Sequence, residues 1–398
     1  MQNIIIEKPY KFIPPKHYSL VARITALFVP QIIRKKHGIE STDVVGLEKL
    51  RESIRAGHGI IIAPNHSRPS DPEVIGMIPH LLAKPVYIMA SWHLFMQSRV
   101  LGWMLPRVGA FSMYREGLDR EAIKCAIQIL VNAKRPLIIF PEGLVSRTND
   151  RLNNLMDGTA FMARNAAKQR AAMPTPGKVV IHPVAIRYFF RGDIVKALNP
   201  TLEEIEKRLS WRPQTELSMI DRIRKIGDAL VTLKEIEYLG KPQNGTLGER
   251  TRLLIDRILE PIEKEWPKGR QEDNVTARVK ALRTEILPDM VSGEIDEKER
   301  SRRWKQLADL YLAQQLFFYP PDYFSDPPTA EQMLETVERY EEDLTDVARI
   351  YRPIHMSMQI GDAIEVSPVR DRTAETDPVM QKLRSELERM LAEMKKKT

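Results

Sequence analysis

One cysteine in 398 residues, Cys125, leaves no intramolecular disulfide and no cysteine-built zinc site, and it favours a reducing compartment. It reads as a small buried helix residue. The histidines His58, His80, His93, His182 and His355 lack metal-ligand spacing of the His-Glu-x-x-His kind, so no metal is expected. There is no Gly-rich phosphate loop and no Gly-x-Ser-x-Gly nucleophile elbow. Aromatic residues do not interleave with the basic clusters, so Lys395, Lys396 and Lys397 read as a solvated face and no nucleic acid is expected. The N-terminus shows no basic start, apolar core and small-residue cleavage site, so no secretory signal is expected. The longest early apolar stretch, Tyr18 to Ile33, is broken by Arg23 and Pro30 and is shorter than the ~20 residues of a bilayer-spanning helix. No repeat or low-complexity tract is evident.

Hydrophobic residues make up 43% and charged residues 29%, the balance of a folded globular chain with a wet surface. At roughly 150 residues per domain, the length suggests two or three units. The formal net charge of +8 biases the surface toward anionic partners.

Within Tyr18 to Ile33, Leu20, Ile24, Leu27 and Phe28 recur at helical spacing, with Lys8, Lys11, Lys16, Arg23, Arg34, Lys35 and Lys36 around them. Such a segment either lies in the headgroup region of an anionic membrane or packs on the protein's own core. From Gly46 the texture alternates: a helical stretch at Leu47–Arg55, then apolar runs at 59–63, 86–89, 136–140 and 179–186, separated by helical segments. The pattern predicts an α/β fold with a mixed, largely buried sheet flanked by helices. After Arg191 the signals are helical. Thr201 with Glu204 and Thr329 with Gln332 have capping-box spacing, Leu254, Ile255, Ile258, Leu259 and Ile262 form one stripe, and Pro/Gly clusters at 240–248, 266–269 and 319–328 punctuate the helices. Strand-like alternation returns at 354–366, followed by a helix over 377–397, so the all-helical block reads as an insertion. The expected organisation is a basic amphipathic segment (1–43), an α/β core (44–192), a helical insertion (193–352), and a strand and helix completing the core (353–398).

The most informative segment is Asn65-His66-Ser67-Arg68-Pro69-Ser70-Asp71-Pro72, at the end of an apolar run. On a regular helix His66 and Asp71 would diverge, whereas a turn through Pro69 can bring them together. An imidazole with a pKa of ~6.5 can take a proton from a hydroxyl near neutral pH, and a carboxylate on its other nitrogen fixes the tautomer. The alternative is a helix-capping aspartate and an ordinary loop histidine.

His66 and Asp71, four residues apart in between, resemble the first motif of the glycerolipid acyltransferase family, typified by 1-acylglycerol-3-phosphate acyltransferase. Gly109-Ala110-Phe111-Ser112-Met113-Tyr114-Arg115 resembles the second motif, Phe140-Pro141-Glu142-Gly143 the third, and Ile181-His182-Pro183-Val184-Ala185-Ile186 the fourth, in the family's order. The resemblance covers about 44–192, and 361–364 resemble the family's late strand and turn. It implies that His66 is the catalytic base, Asp71 its orienting partner, and Arg115 a clamp for the acceptor's phosphate. Asn65, Glu142 and Gly143 are implied in the acceptor pocket and Pro183 near the acyl donor. Where the family continues the third motif with Thr-Arg-Ser-Arg, this chain has Leu144-Val145-Ser146-Arg147, so one arginine is missing or replaced in function by Arg147.

The activity so implied is transfer of a fatty acyl group from acyl-CoA or acyl carrier protein, as co-substrate and without a cofactor, to the hydroxyl of a lysophospholipid. The leading acceptor is 1-acylglycerol-3-phosphate, and the setting is the cytoplasmic face of an anionic membrane, with peripheral or monotopic attachment. The insertion is a candidate lid, membrane platform or homo-oligomer surface. Two other functions fit the same residues: a non-catalytic lipid-binding scaffold on this fold, and a thioester or lipid hydrolase using the same pair.

Overall fold

The computed structural model describes residues 7–267, 274–319, 322–370 and 376–396. In chain order the elements are α1 (Ser19–Leu27), α2 (Val29–His37), β1 (Ile39–Val45), α3 (Leu47–Arg55), β2 (Gly59–Pro64), α4 (Asp71–Val74), α5 (Met77–Leu82) and β3 (Tyr87–Ser91). Next come α6 (Trp92–Met96), α7 (Arg99–Val108), β4 (Ala110–Met113), α8 (Arg120–Asn132), β5 (Leu137–Ile138), α9 (Gly158–Ala171) and β6 (Val179–Phe190). Helices α10 (Ile194–Arg208), α11 (Met219–Leu239), α12 (Leu247–Glu265), α13 (Val275–Ser292), α14 (Glu297–Phe317) and α15 (Ala330–Thr345) precede β7 (Ile354–Ile360), β8 (Ile364–Glu365) and α16 (Pro378–Lys396). Gly269 and Lys397, which the sequence reading placed in a helix break and at a helix end, lie outside the described residues. Two compact units result: an αβ unit of Lys11–Tyr114, Leu118–Gly192 and Ile350–Thr398, and a helical unit of Met1–Tyr10, Arg115–Gly117 and Asp193–Arg349.

The αβ unit is built on one sheet of order β1-β7-β6-β2-β5-β3-β4, with β8 also on β6. Pairing is parallel except where β6 meets β7 and β8, so the sheet is mixed, as its apolar runs predict. Every residue of β6 is buried, because strands lie on both edges and α9 and α16 pack on it. β1 straddles residue 43, where the core was not yet expected. As an edge strand it pairs only with β7, and its exposed Glu40-Ser41-Thr42 shows no apolar run.

Pro183 sits inside β6, a place proline usually avoids because it breaks the hydrogen-bond ladder. Its carbonyl accepts from Gly361 N at 2.8 Å, and on a strand the missing N–H would point to the same side. There β7 has ended and β8 has not begun, so no ladder bond is lost.

Helix α1 turns its alanines inward. Ala22 and Ala26 are buried, while Leu20, Ile24, Leu27 and the following Phe28 are exposed. Val100 and Trp103 of α7, which packs against α1, are exposed too. The large apolar side chains therefore do not pack on the unit's own core. Among the described residues, no helix is long and apolar enough to cross a membrane.

In the helical unit the stripe of α12 (Leu254, Ile255, Ile258, Leu259, Ile262) is buried against Val279, Leu282 and Ile286 of α13 and Leu307 and Leu310 of α14. Thr329 and Gln332 form the expected capping box on α15, and Thr246 with Glu249 forms another on α12. Thr201 does not cap: it lies within α10, whose cap is Asp193, accepting from Val195 N at 3.0 Å and Lys196 N at 3.1 Å.

The structure also shows a repeat that the sequence reading did not find. Arg222 grips Glu206 through Nε and Nη2 at 2.9 and 3.0 Å, Arg250 grips Glu235 at 2.8 and 2.8 Å, and Arg278 grips Glu263 at 2.6 and 3.0 Å. In each case Nη1 reaches a further residue on the glutamate's helix: Asn199, Asp228 or Asp256. Each clamp ties a helix start to the preceding helix, and the three arginines recur at equal intervals. Buried Ile226, Leu254 and Leu282, and Val231, Leu259 and Leu287, keep the same spacing from the arginines.

Candidate functional site

Strand β2 delivers His66 just beyond its buried end, and the chain turns through Arg68, whose carbonyl accepts from Asp71 N at 3.1 Å, before α4 starts at Asp71. Pro72 suits this start because a first-turn residue needs no N–H partner. The turn puts His66 Nδ1 2.9 Å from Asp71 Oδ2. That same oxygen accepts from Arg68 N at 2.8 Å, so Asp71 closes its own turn rather than capping the helix. Asp71 is fully buried, while His66 keeps 7% exposure, and its ring packs on Phe140 at 4.2 Å between centroids. Among the described residues Nε2 of His66 has no hydrogen-bond partner. With the proton held on Nδ1 by a carboxylate, Nε2 is the basic nitrogen.

Glu142 comes from the turn after β5. Its Oε1 accepts from His66 N at 2.6 Å and its Oε2 from Asn153 N at 2.9 Å. Both oxygens therefore accept from main chain, and Glu142 ties the His66 backbone to the loop at Asn153. Burial pushes its carboxyl up to about 8, against the pull of the two N–H donors. Gly143 has φ +70°, and a Cβ there would strike Met156 Sδ, so this turn needs glycine.

Asn65 was likewise expected to bind substrate. Its Oδ1 accepts from Ile186 N at 2.7 Å and its Nδ2 donates to Ile186 O at 3.0 Å, extending the β2–β6 pairing by a side chain. Pro183 is buried in β6 against the turn at Gly361. Arg147 is half-buried with φ +59°, beside Ser146, whose N donates to His66 O at 2.7 Å.

Arg115 is not brought into the unit that holds His66. With Glu116 and Gly117 it groups with the helical unit, where Glu116 and Arg283 of α13 lie within its electrostatic reach. Burial lowers the pKa of both guanidinium groups. Among the described residues Arg115 makes no ion pair.

Sequence reasoning missed three participants. Tyr188 of β6 bonds Asp71 Oδ1 through its hydroxyl. Asn149 brackets the Tyr188 backbone, accepting from its N at 2.9 Å and donating to its O at 2.7 Å. Arg384 of α16 donates to Asn153 O at 3.1 Å, pinning the loop that Glu142 also holds. The available signal was period two along β6, which places Val184, Ile186 and Tyr188 on one face.

The profile of the Acyltransferase family matches residues 42–187, which span β1 to β6 and contain the His66–Asp71–Glu142 arrangement. One similar curated protein is the 1-acyl-sn-glycerol-3-phosphate acyltransferase of Streptococcus pneumoniae, 35% identical over 156 residues, or 36% of this chain and 53% of that protein. The chain thus spans about half the length of the relative that it matches. Residues 42–187 are thus similar to the Acyltransferase family and to this relative, over the part of the chain that holds His66, Asp71 and Glu142.

Proposed function

We propose that the chain moves a fatty acyl group from a thioester, acyl-CoA or acyl carrier protein, to the hydroxyl of a lysophospholipid, with 1-acylglycerol-3-phosphate the first acceptor to test. The carrying observation is the His66 Nδ1 contact to Asp71 at 2.9 Å, with no hydrogen-bond partner on Nε2 among the described residues. Nε2 takes the hydroxyl proton as the oxygen attacks the thioester carbon. A tetrahedral oxyanion forms and collapses, the C–S bond breaks, and the departing thiolate recovers the proton from His66. Arg115 carries the acceptor's phosphate in this reading, since planar guanidinium donors grip phosphate at two points. The outward apolar face of α1 and α7 and the net charge of +8 support attachment to an anionic membrane surface.

The test supplies purified protein with acyl thioesters and a panel of lysolipids. His66→Ala lowers turnover by about 10² to 10⁴, the usual contribution of a general base, and Arg115→Ala chiefly weakens use of phosphate-bearing acceptors. Release of free fatty acid without acylated lipid would make the protein a hydrolase. Wild-type turnover in His66→Ala would remove the reading altogether.

A further inference from the structure

Asp71 holds His66 by one carboxylate oxygen, and its other oxygen is engaged by a residue outside the four motifs. Tyr188 is 2% exposed on β6, with its phenol on Asp71 Oδ1. Ser70 Oγ donates to the phenol oxygen at 3.4 Å, and the Arg68 guanidinium lies over the Tyr188 ring, 5.3 Å from its centroid. The tyrosine is itself immobilised, because it lies opposite Met356 in the β6–β7 pairing and Asn149 bonds the Tyr188 N and O. Asp71, by contrast, stands at the start of a helix only four residues long. A carboxylate held at one oxygen can still rotate about its side-chain bonds, whereas one held at both oxygens has its plane fixed.

We propose that Tyr188 is a positioning residue: by binding Asp71 Oδ1 it fixes the carboxylate that orients His66, and it sets the pH at which the His66–Asp71 pair takes up a proton. The titratable and charged groups around that carboxylate are His66 and Arg68 from the turn after β2, Glu142 from the turn after β5, and Tyr188 from β6. Burial and the Asp71 charge keep the phenol pKa well above 10, so it remains a donor at every working pH. A hydrogen bond to the anionic form of the pair favours that form. Removing the bond therefore makes the pair take up its proton at higher pH. The bland alternative is a core tyrosine whose hydroxyl is merely satisfied, and it predicts no such shift.

The catalytic part of the inference rests on the acyl-transfer reading, and the titration part does not. Tyr188→Phe keeps the ring and removes the donor. Its kcat is expected to fall by about tenfold with little change in the KM of the acceptor. The acid limb of its pH profile should rise by about one pH unit, the usual scale of a hydrogen bond to a charged group. NMR titration of the His66 ring should move in the same direction whether or not turnover is measured. Monofluorinated tyrosine at position 188, a stronger donor of nearly the same size, should shift the limb and the ring titration down, and this variant serves if the phenylalanine variant does not fold. An unchanged acid limb and ring titration in both variants overturns the proposal. If His66→Ala retains wild-type turnover, the acyl-transfer reading fails, and the ring titration still decides whether Tyr188 governs the pair.

Discussion

Glu142 is a buried carboxyl whose two oxygens both accept from main chain, and burial still pushes it up to about 8. In the unfolded chain a glutamate titrates at ~4.3. The folded value is the higher one, so its stabilising contribution is full below about pH 4 and is lost as pH rises through about 8. Wild-type melting temperature should consequently fall between about pH 5 and pH 8 relative to that of Glu142→Gln, whose amide cannot ionise. A difference between the two that stays flat with pH would show that Glu142 is not protonated when folded. At this scale the His66–Asp71 pair was legible, because a turn-forming proline lies between residues that have an obvious joint chemistry. Tyr188 was not legible, since 117 residues separate it from Asp71 and only the sheet brings them together. Asn65 and Glu142 were visible as motif residues, but their partners are backbone groups, which carry no mark in the sequence.

The helices after β6 are joined by side-chain clamps as well as by their apolar stripes. Glu206 and Glu235 are fully buried beneath Arg222 and Arg250. Removing one partner of such a pair leaves a charge in a low-dielectric site and typically costs about 3–5 kcal/mol. Arg222→Ala should therefore destabilise the helical unit by that amount in denaturant unfolding, while exposed Arg389→Ala, whose partners Glu386 and Glu393 are also solvated, should cost under about 1 kcal/mol. Equal costs for the two variants would deny the clamps a structural role. Helices α3 and α12 and the buried strands were legible because apolar periodicity marks them. β1 was not, because an edge strand has little to bury, and the span given to Thr201 shows that a capping spacing without a helix end has no meaning.

The whole molecule carries +8 net charge and an outward apolar face on α1 and α7, and these two features act on the same partner. Apolar burial in the headgroup region and attraction to anionic lipid add, and salt screens only the second over a Debye length of ~8 Å at physiological ionic strength. Leu20→Glu with Trp103→Glu should abolish co-sedimentation with anionic vesicles while leaving the melting temperature within a few degrees, because both side chains are exposed. Raising the salt should weaken binding of the wild type only partly. Undiminished binding by the double variant would place membrane contact elsewhere. The sequence by itself determined the α/β character, the helical block and the identity of the catalytic candidates, because hydrophobic period and reactive side chains are local properties of a chain. Tertiary structure alone decided what each candidate touches: it tied Glu142 and Asn65 to backbone, grouped Arg115 with the helical unit, and put Tyr188 on Asp71. The reason is that hydrogen bonds act over about 3 Å, and the pairing of distant strands determines which groups come within that range.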